Sequence, residues 1–273
     1  MENCFAPFII IRRNQQLPFK PLKNIMLSKI PFLLFAVSFC CLVSAGPFLN
    51  DQRSYPRFRL AEKEKGPFID SLFANKGLRP NRSLLYLRVF KKNGQIELWA
   101  RDKSRRNYEL IRTYDICASS GDLGPKRQIG DGQVPEGAYF ISAFNPVSSF
   151  YLSLGVSYPN RSDRILGKSD NPGGDIFIHG NCVTIGCMPI QDYYIKELYV
   201  ICAIARDNGQ GEIPVHIFPT RMDDAGMKYL SEYNPDPGLQ LFWKNIRPIY
   251  LLFEQKRELP RVTVDKKGRY TAE

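Results

Sequence analysis

The sequence predicts a mainly β, α+β catalytic domain carrying helical additions. Three observations predict it: short runs of alternating apolar and polar residues from Ser83 onward, a long Gly- and Pro-rich segment between two of them, and a switch to spacings of three and four after Cys187. Apolar residues make up 44% of the chain and charged residues 24%, a balance that excludes wholesale disorder.

The elements follow in order. Residues 46–79 mix charge, Pro and Gly around one short amphipathic stretch, Phe68 to Phe73, and are expected to form a lead-in segment. Leu85, Leu87 and Val89 alternate with Tyr86 and Arg88; Lys92-Asn93-Gly94 supplies a turn, and Ile96, Leu98 and Ala100 resume the alternation, a hairpin pattern. Tyr108 to Ala118 and Ala138 to Ala143 read as two further strands. Between them Ser119 to Gly137 holds five glycines and two prolines and is expected to be a long functional loop. Phe150 to Ser157 and Asp175 to His179 are the next strands, joined by a polar connection, with Phe177 and His179 on one face. Ile195, Leu198, Tyr199, Cys202 and Ala205 mark a helix that Asn208-Gly209 ends. Val215 to Phe218 is a strand, and Leu239, Phe242, Ile246, Ile249 and Phe253 mark a second long helix. The catalytic domain is thus expected over 80–219, and a helical C-terminal extension over 220–273.

Residues 1–45 are read as an N-terminal extension and signal peptide. Lys20, Lys23 and Lys29 lead into an apolar run from Ile30 to Val43, followed by Val43-Ser44-Ala45. That run is shorter than the roughly 20 residues of a membrane helix, so cleavage after Ala45, and no stable membrane span after it, are expected. Met26 is an alternative start, and lipid attachment at Cys40 or Cys41 is disfavoured by the bulky Phe39. Loss of the leader lowers the net charge from +11 to +7, with 33 Lys/Arg against 26 Asp/Glu. Export to the periplasm or cell envelope makes nucleic acid an unsuitable partner and an anionic wall a suitable one. The four remaining cysteines, Cys117, Cys182, Cys187 and Cys202, are too few for a disulfide scaffold.

The densest group of reactive residues is His179-Gly180-Asn181-Cys182-Val183-Thr184-Ile185-Gly186-Cys187. Cysteine acyl chemistry needs a thiolate, a base and donors for an oxyanion. His179 at a strand end is the candidate base and Cys187 the candidate nucleophile. Gly186 permits a sharp turn that leaves the N–H groups of Gly186 and Cys187 free to face a reacting carbonyl, and a helix beginning soon after Cys187 would lower the thiol pKa. Competing readings are a Cys182–Cys187 disulfide and a zinc site from His179, Cys182, Cys187 and His216. Cys117 and Cys202, in apolar runs, are expected to be buried small hydrophobes, and His216 to be structural.

The string Ile178-His179-Gly180 followed by Thr184-Ile185-Gly186-Cys187-Met188-Pro189-Ile190 resembles the catalytic signature of the YkuD-type L,D-transpeptidases, in particular their YafK-like branch. The likeness extends through Cys117 to Lys126, Pro135 to Tyr139, Tyr158 to Arg161 and Pro214 to Pro219. Ile185 stands where the general family has a histidine, and the spacer from His179 to Cys187 is short; both features resemble the YafK-like branch.

The resemblance implies a β-sandwich catalytic domain, no cofactor or metal, and a Cys187 thioester formed on meso-diaminopimelate-containing stem peptides of peptidoglycan, with His179 as base and the backbone of Gly180 orienting it. An acceptor amine gives a cross-link or an attached wall protein, whereas water gives hydrolysis, so a YafK-like amidase is the alternative, followed by a non-catalytic wall-binding module. Asn181, Thr184, Lys126, Arg127, Arg161 and Arg164 are the candidate substrate-binding residues.

Overall fold

A computed structural model describes residues 46–168 and 171–273. The leader, its cleavage point, Met26 and Cys40–Cys41 lie outside the described residues.

Eight strands form one mixed sheet in the order β3-β2-β1-β8-β4-β5-β6-β7. The hairpin is β1 (Ser83–Phe90) and β2 (Gln95–Asp102), with β3 (Glu109–Asp115) on its far edge. β4 (Gly137–Asn145) and β5 (Ser153–Val156) lead through the short helix α3 (Arg161–Leu166) to β6 (Phe177–His179) and β7 (Met188–Pro189). β8 (Ile213–Phe218) enters the centre of the sheet, parallel to β1 and antiparallel to β4. The strands of the expected sandwich are therefore continuous with one another, and helices supply the layers on either side.

The central strands are buried on both faces, and their side-chain alternation sorts the core into two. Leu85, Leu87 and Val89 join Ile96, Leu98, Val215 and Ile217 against α4 (Gln191–Asp207). Tyr86 packs with Trp99 and Phe253, while Phe90 and Phe218 pack with Trp243, Ile246 and Ile249 of α6 (Pro237–Lys256). Arg88, on this second face, has no exposed surface. Its guanidinium meets Glu254 at 2.7 Å and Glu97 at 3.6 Å amid the rings of Phe90, Trp99, Tyr250 and Phe253. A buried cation needs such partners, because leaving one charge uncompensated costs about 3–5 kcal/mol.

The lead-in segment is more ordered than expected. It forms α1 (Pro47–Gln52) and the 19-residue α2 (Pro56–Ala74), which packs on α4 through Phe58, Ala61, Lys65, Ile69 and Phe73 at spacings of three and four. Lys65 fits into that stripe by placing its ammonium 2.9 Å over the Tyr193 ring. The polar connection after Tyr158 is also partly helical, because Asn160 and Asp163 form a reciprocal capping box at the start of α3. Beyond β8 lie α5 (Asp224–Tyr233), α6 and a small hairpin of β9 (Val262–Val264) and β10 (Tyr270–Ala272).

Glu136 ties this C-terminal part to the Gly-rich loop. One carboxylate oxygen accepts from the Gly124 N–H at 2.7 Å and meets the Lys91 ammonium at 3.0 Å; the other accepts from the Trp243 indole at 2.9 Å. Trp243→Phe removes one donor from a fully buried carboxylate, and the expected result is a loss of about 1–3 kcal/mol, read as a lower denaturant midpoint with an unchanged slope.

Candidate active site

Strand pairing positions the two candidate catalytic residues. β6 and β7 are parallel, with Ile178 opposite Met188 and His179 opposite Pro189. One step back along that register Phe177 stands beside Cys187. Cys187 directly precedes β7, and its Sγ lies against the chain entering β6, 3.4 Å from the Asp175 carbonyl oxygen.

His179 is 1% exposed and stacks on Phe150, ring centroids 4.5 Å apart. Its Nδ1 lies 2.5 Å from the Gly180 carbonyl oxygen. A carbonyl only accepts, so Nδ1 carries the proton and Nε2 keeps the lone pair. Gly180 is required there, because a Cβ would strike the Asp192 carboxylate and stand 2.8 Å from the Phe150 carbonyl oxygen. The Asp192 carboxylate, in the first turn of α4, accepts from the Asn181 N–H at 2.8 Å and so holds the chain as it leaves β6.

Burial pushes the His179 imidazole below its ordinary pKa, against the opposing hydrogen bond to Gly180. Burial also pushes the Cys187 thiol up, opposed by the Phe177 backbone and reinforced by Asp175. The expected helix-dipole lowering of the thiol is not realised: β7 intervenes and α4 begins only at Gln191. The resting pair is therefore thiol and neutral imidazole, with Sγ 3.4 Å from the Asp175 carbonyl oxygen.

Gly186 has φ +131°, and its missing Cβ would stand 3.1 Å from the Gln133 carbonyl oxygen, so the turn before Cys187 needs glycine. The N–H groups of Gly186 and Cys187 are not free as expected. Both donate to the Thr184 hydroxyl oxygen, at 3.1 and 2.8 Å, and that hydroxyl donates to the Cys187 carbonyl at 2.8 Å.

Cys182 pairs with Cys117, at a Cα separation of 5.5 Å, and not with Cys187. Cys117 is thus a bridge residue and not the buried small hydrophobe expected of it. Cys187 is free and half-buried, and Cys202 is free and buried. The disulfide leaves Cys182 no thiolate to offer a zinc ion. His216 is structural: buried, its Nδ1 2.7 Å from the Tyr86 hydroxyl oxygen and its pKa pushed down to about 3 by burial and by Arg88.

The other candidate substrate residues divide. Asn181, at φ +59°, turns its side chain back to accept from the Cys182 N–H at 2.7 Å. Lys126 is buried on Asp131 at 2.5 Å, and Arg127 is paired with Asp163 at 3.0 Å. Asp131 also accepts from the N–H groups of Arg127, Gln128 and Gln133, so Lys126 braces the Gly-rich loop. Arg161 and Arg164 line a separate cavity of about 690 Å³ with Phe140, Tyr158 and His216, whose lining includes neither His179 nor Cys187. Phe150, Asp175, Gln133 and Asp192 were not anticipated. Of these only Asp192, an acid opening a helix, had a local signal in the sequence.

A buried histidine with a fixed tautomer at the end of β6, and a free thiol on the residue that precedes its parallel neighbour β7, define a candidate cysteine acyl-transfer site. The chain belongs to the L,D-transpeptidase family: the L,D-transpeptidase catalytic domain (YkuD) matches residues 85–217, and the chain is 36% identical over 190 residues to YafK of Escherichia coli K12, which carries an L,D-transpeptidase name. That alignment covers 69% of this chain and 73% of the relative, and the protein of strain O157:H7 aligns identically. Among solved structures, the helical cell shape determining protein Pgp2 of Campylobacter jejuni aligns at 17% identity and TM-score 0.41, covering 67% of this chain and 73% of that one. Bd1075 of Bdellovibrio bacteriovorus aligns at 20% identity and TM-score 0.37, covering 67% and 77%. The protein is a peptidoglycan-modifying acyltransferase of the L,D-transpeptidase type.

Two outcomes are expected. The alkylation rate of Cys187 in the resting protein should keep climbing with pH beyond the usual thiol range, measured by mass spectrometry of iodoacetamide-treated protein; a pH-independent plateau across neutrality would instead reveal a preformed thiolate. Cys117→Ser should lower the melting temperature, because closing a loop of 65 residues is worth about 2–4 kcal/mol, and should speed proteolysis between Asn181 and Gly186.

Proposed function

We propose that Cys187 is the nucleophile and His179 the base of an acyl transfer on diaminopimelate-containing stem peptides. The observation that supports this reading is the Nδ1 contact with Gly180, which leaves the Nε2 lone pair of a histidine on the strand beside the Cys187 segment free to accept a proton. Nε2 takes the thiol proton as sulfur attacks the peptide carbonyl. The proton then passes to the departing amine, and the acyl group stays on sulfur as a thioester. An acceptor amine attacking the thioester forms a new amide; water forms a free carboxylate. Either attack returns the sulfur to its thiol form.

Such a mechanism starts from two neutral partners, so substrate binding, by excluding water and aligning the carbonyl, must supply the drive for proton transfer. The oxyanion needs donors. The N–H groups of Gly186 and Cys187 converge on the Thr184 hydroxyl, and in this reading the developing oxyanion competes with that hydroxyl for them. The basic leader followed by a short apolar run supports export to the periplasm, where stem peptides and an oxidised Cys117–Cys182 bridge are both expected.

Incubation of the protein with purified sacculi, followed by mass spectrometry of the soluble and digested fractions, is the test. New cross-links or attached peptides identify transpeptidation; released peptides or freed wall protein identify hydrolysis. Cys187→Ala is expected to abolish either product at unchanged melting temperature, and turnover by that variant would refute the assignment.

A further inference from the structure

Asp207 is the last residue of α4, a position that disfavours a carboxylate because the C-terminal end of a helix carries partial negative charge. It takes part in no ion pair among the described residues, and three cations nearby are engaged elsewhere. Arg53 feels its charge but is held by Glu62 at 2.7 Å, Arg206 turns its guanidinium to the Gly211 carbonyl, and the Lys103 ammonium donates to the Asn208 carbonyl at 2.6 Å.

What Asp207 does hold is the main chain entering α1. Its Oδ2 accepts from the Gly46 N–H at 2.6 Å and its Oδ1 from the Leu49 N–H at 3.0 Å. The fit requires glycine, because a Cβ on Gly46 would stand 2.5 Å from Oδ1 and 2.8 Å from Oδ2. The residues that follow are firmly seated: Leu49 is buried, Gln52 accepts from the Tyr199 hydroxyl of α4 at 2.7 Å, and Phe48 meets the Phe144 ring edge-on at 5.0 Å. The Gly46 nitrogen is thus fixed against a carboxylate.

Gly46 is also the residue that follows Val43-Ser44-Ala45, the small-residue cleavage pattern at the end of the apolar run. The position with no room for a side chain and the position that cleavage would expose are the same. Hydrolysis there adds water to the Ala45 carbonyl and breaks its bond to nitrogen. The leader departs as a carboxylate, and Gly46 keeps the nitrogen, protonated at neutral pH, as an ammonium.

We propose that Asp207 is the receptor for the new N-terminus: cleavage after Ala45 by a leader peptidase converts the Gly46–Asp207 hydrogen bond into an ion pair that locks α1 onto α4. The inference rests on the export reading given above. It supplies a cation to the acid at the end of α4, and it makes the processed chain more stable than one with residues left ahead of Gly46. The helix so anchored at its last residue carries in its first turn Asp192, which holds the chain leaving β6.

Export of the full-length precursor, followed by intact-mass measurement of the protein recovered from the cell envelope, is expected to give a chain beginning at Gly46. A second precursor carries a Ser-Gln pair inserted between Ala45 and Gly46, so its processed chain keeps the Gly46 amide N–H and moves the ammonium away. In thermal unfolding at neutral pH the chain beginning at Gly46 is expected to melt about 2–4 °C above the extended one. In Asp207→Asn, which keeps an acceptor oxygen without the charge, the two starts are expected to melt together. A recovered chain beginning elsewhere, equal melting with Asp207 present, or a difference that survives Asp207→Asn would overturn the proposal; equal melting would leave Asp207 a helix cap only. The comparison with Asp207 present needs no substitution, so misfolding of the variant cannot imitate the expected result. Processing of sacculi is read separately, so the N-terminal lock can fail while the acyl-transfer reading stands.

Discussion

The parallel register between β6 and β7 is the constraint on which the site depends. These are the shortest strands of the large sheet and lie at its edge, yet their pairing brings the segment that carries Cys187 alongside the strand that ends in His179. A slip of one residue would turn Met188 and Pro189 over and carry Cys187 away from its place beside Asp175. Several interactions lock that register: the Cys117–Cys182 bridge, the hold of Asp192 on Asn181, the Thr184 hydroxyl gathered onto Gly186 and Cys187, and the bond from the Cys117 N–H to the Pro189 carbonyl at 2.9 Å. The segment from His179 to Cys187 is exposed over much of its length, so these ties do the work that core burial does elsewhere.

Rigidity in that segment is matched by electrical neutrality in the pair. Burial disfavours the charged form of both groups, and no nearby partner reverses the balance for either. A resting thiol is a poor nucleophile and a poor metal ligand. In the proposed mechanism its reactivity therefore depends on what the substrate brings. The Gly-rich loop belongs to the same apparatus. Lys126, Asp131 and Glu136 fasten it from within, and through Trp243 it is continuous with the C-terminal helices.

Much of the fold was legible because period governs burial. The β1–β2 hairpin, α4 and α6 were readable from spacings of two or of three and four, and the candidate nucleophile and base stand in one dense run of residues. What escaped had physical reasons. α2 was hidden by Lys65, a charge in an apolar stripe that is tolerated only because Tyr193, far away in sequence, lies under it. Arg88 looked like an outward residue of a half-buried strand until α6 covered that face. Cys117 looked like core because its neighbours are apolar, while its partner lies 65 residues on. Lys126 and Arg127 looked free because the carboxylates that hold them are brought in by loop turns and by α3. The N–H groups beside Cys187 were read as open donors because a hydroxyl three residues back carries no periodic signal.

The central claim is that sulfur at Cys187, deprotonated by Nε2 of His179, carries the acyl group. The most direct measurement is peptide-level mass spectrometry of enzyme quenched in acid during turnover of a diaminopimelate tetrapeptide. The account predicts a thioester adduct on the peptide containing Cys187, and its loss in His179→Gln at unchanged fold. An adduct on another residue, or undiminished acylation of Cys187 without the imidazole, would contradict it.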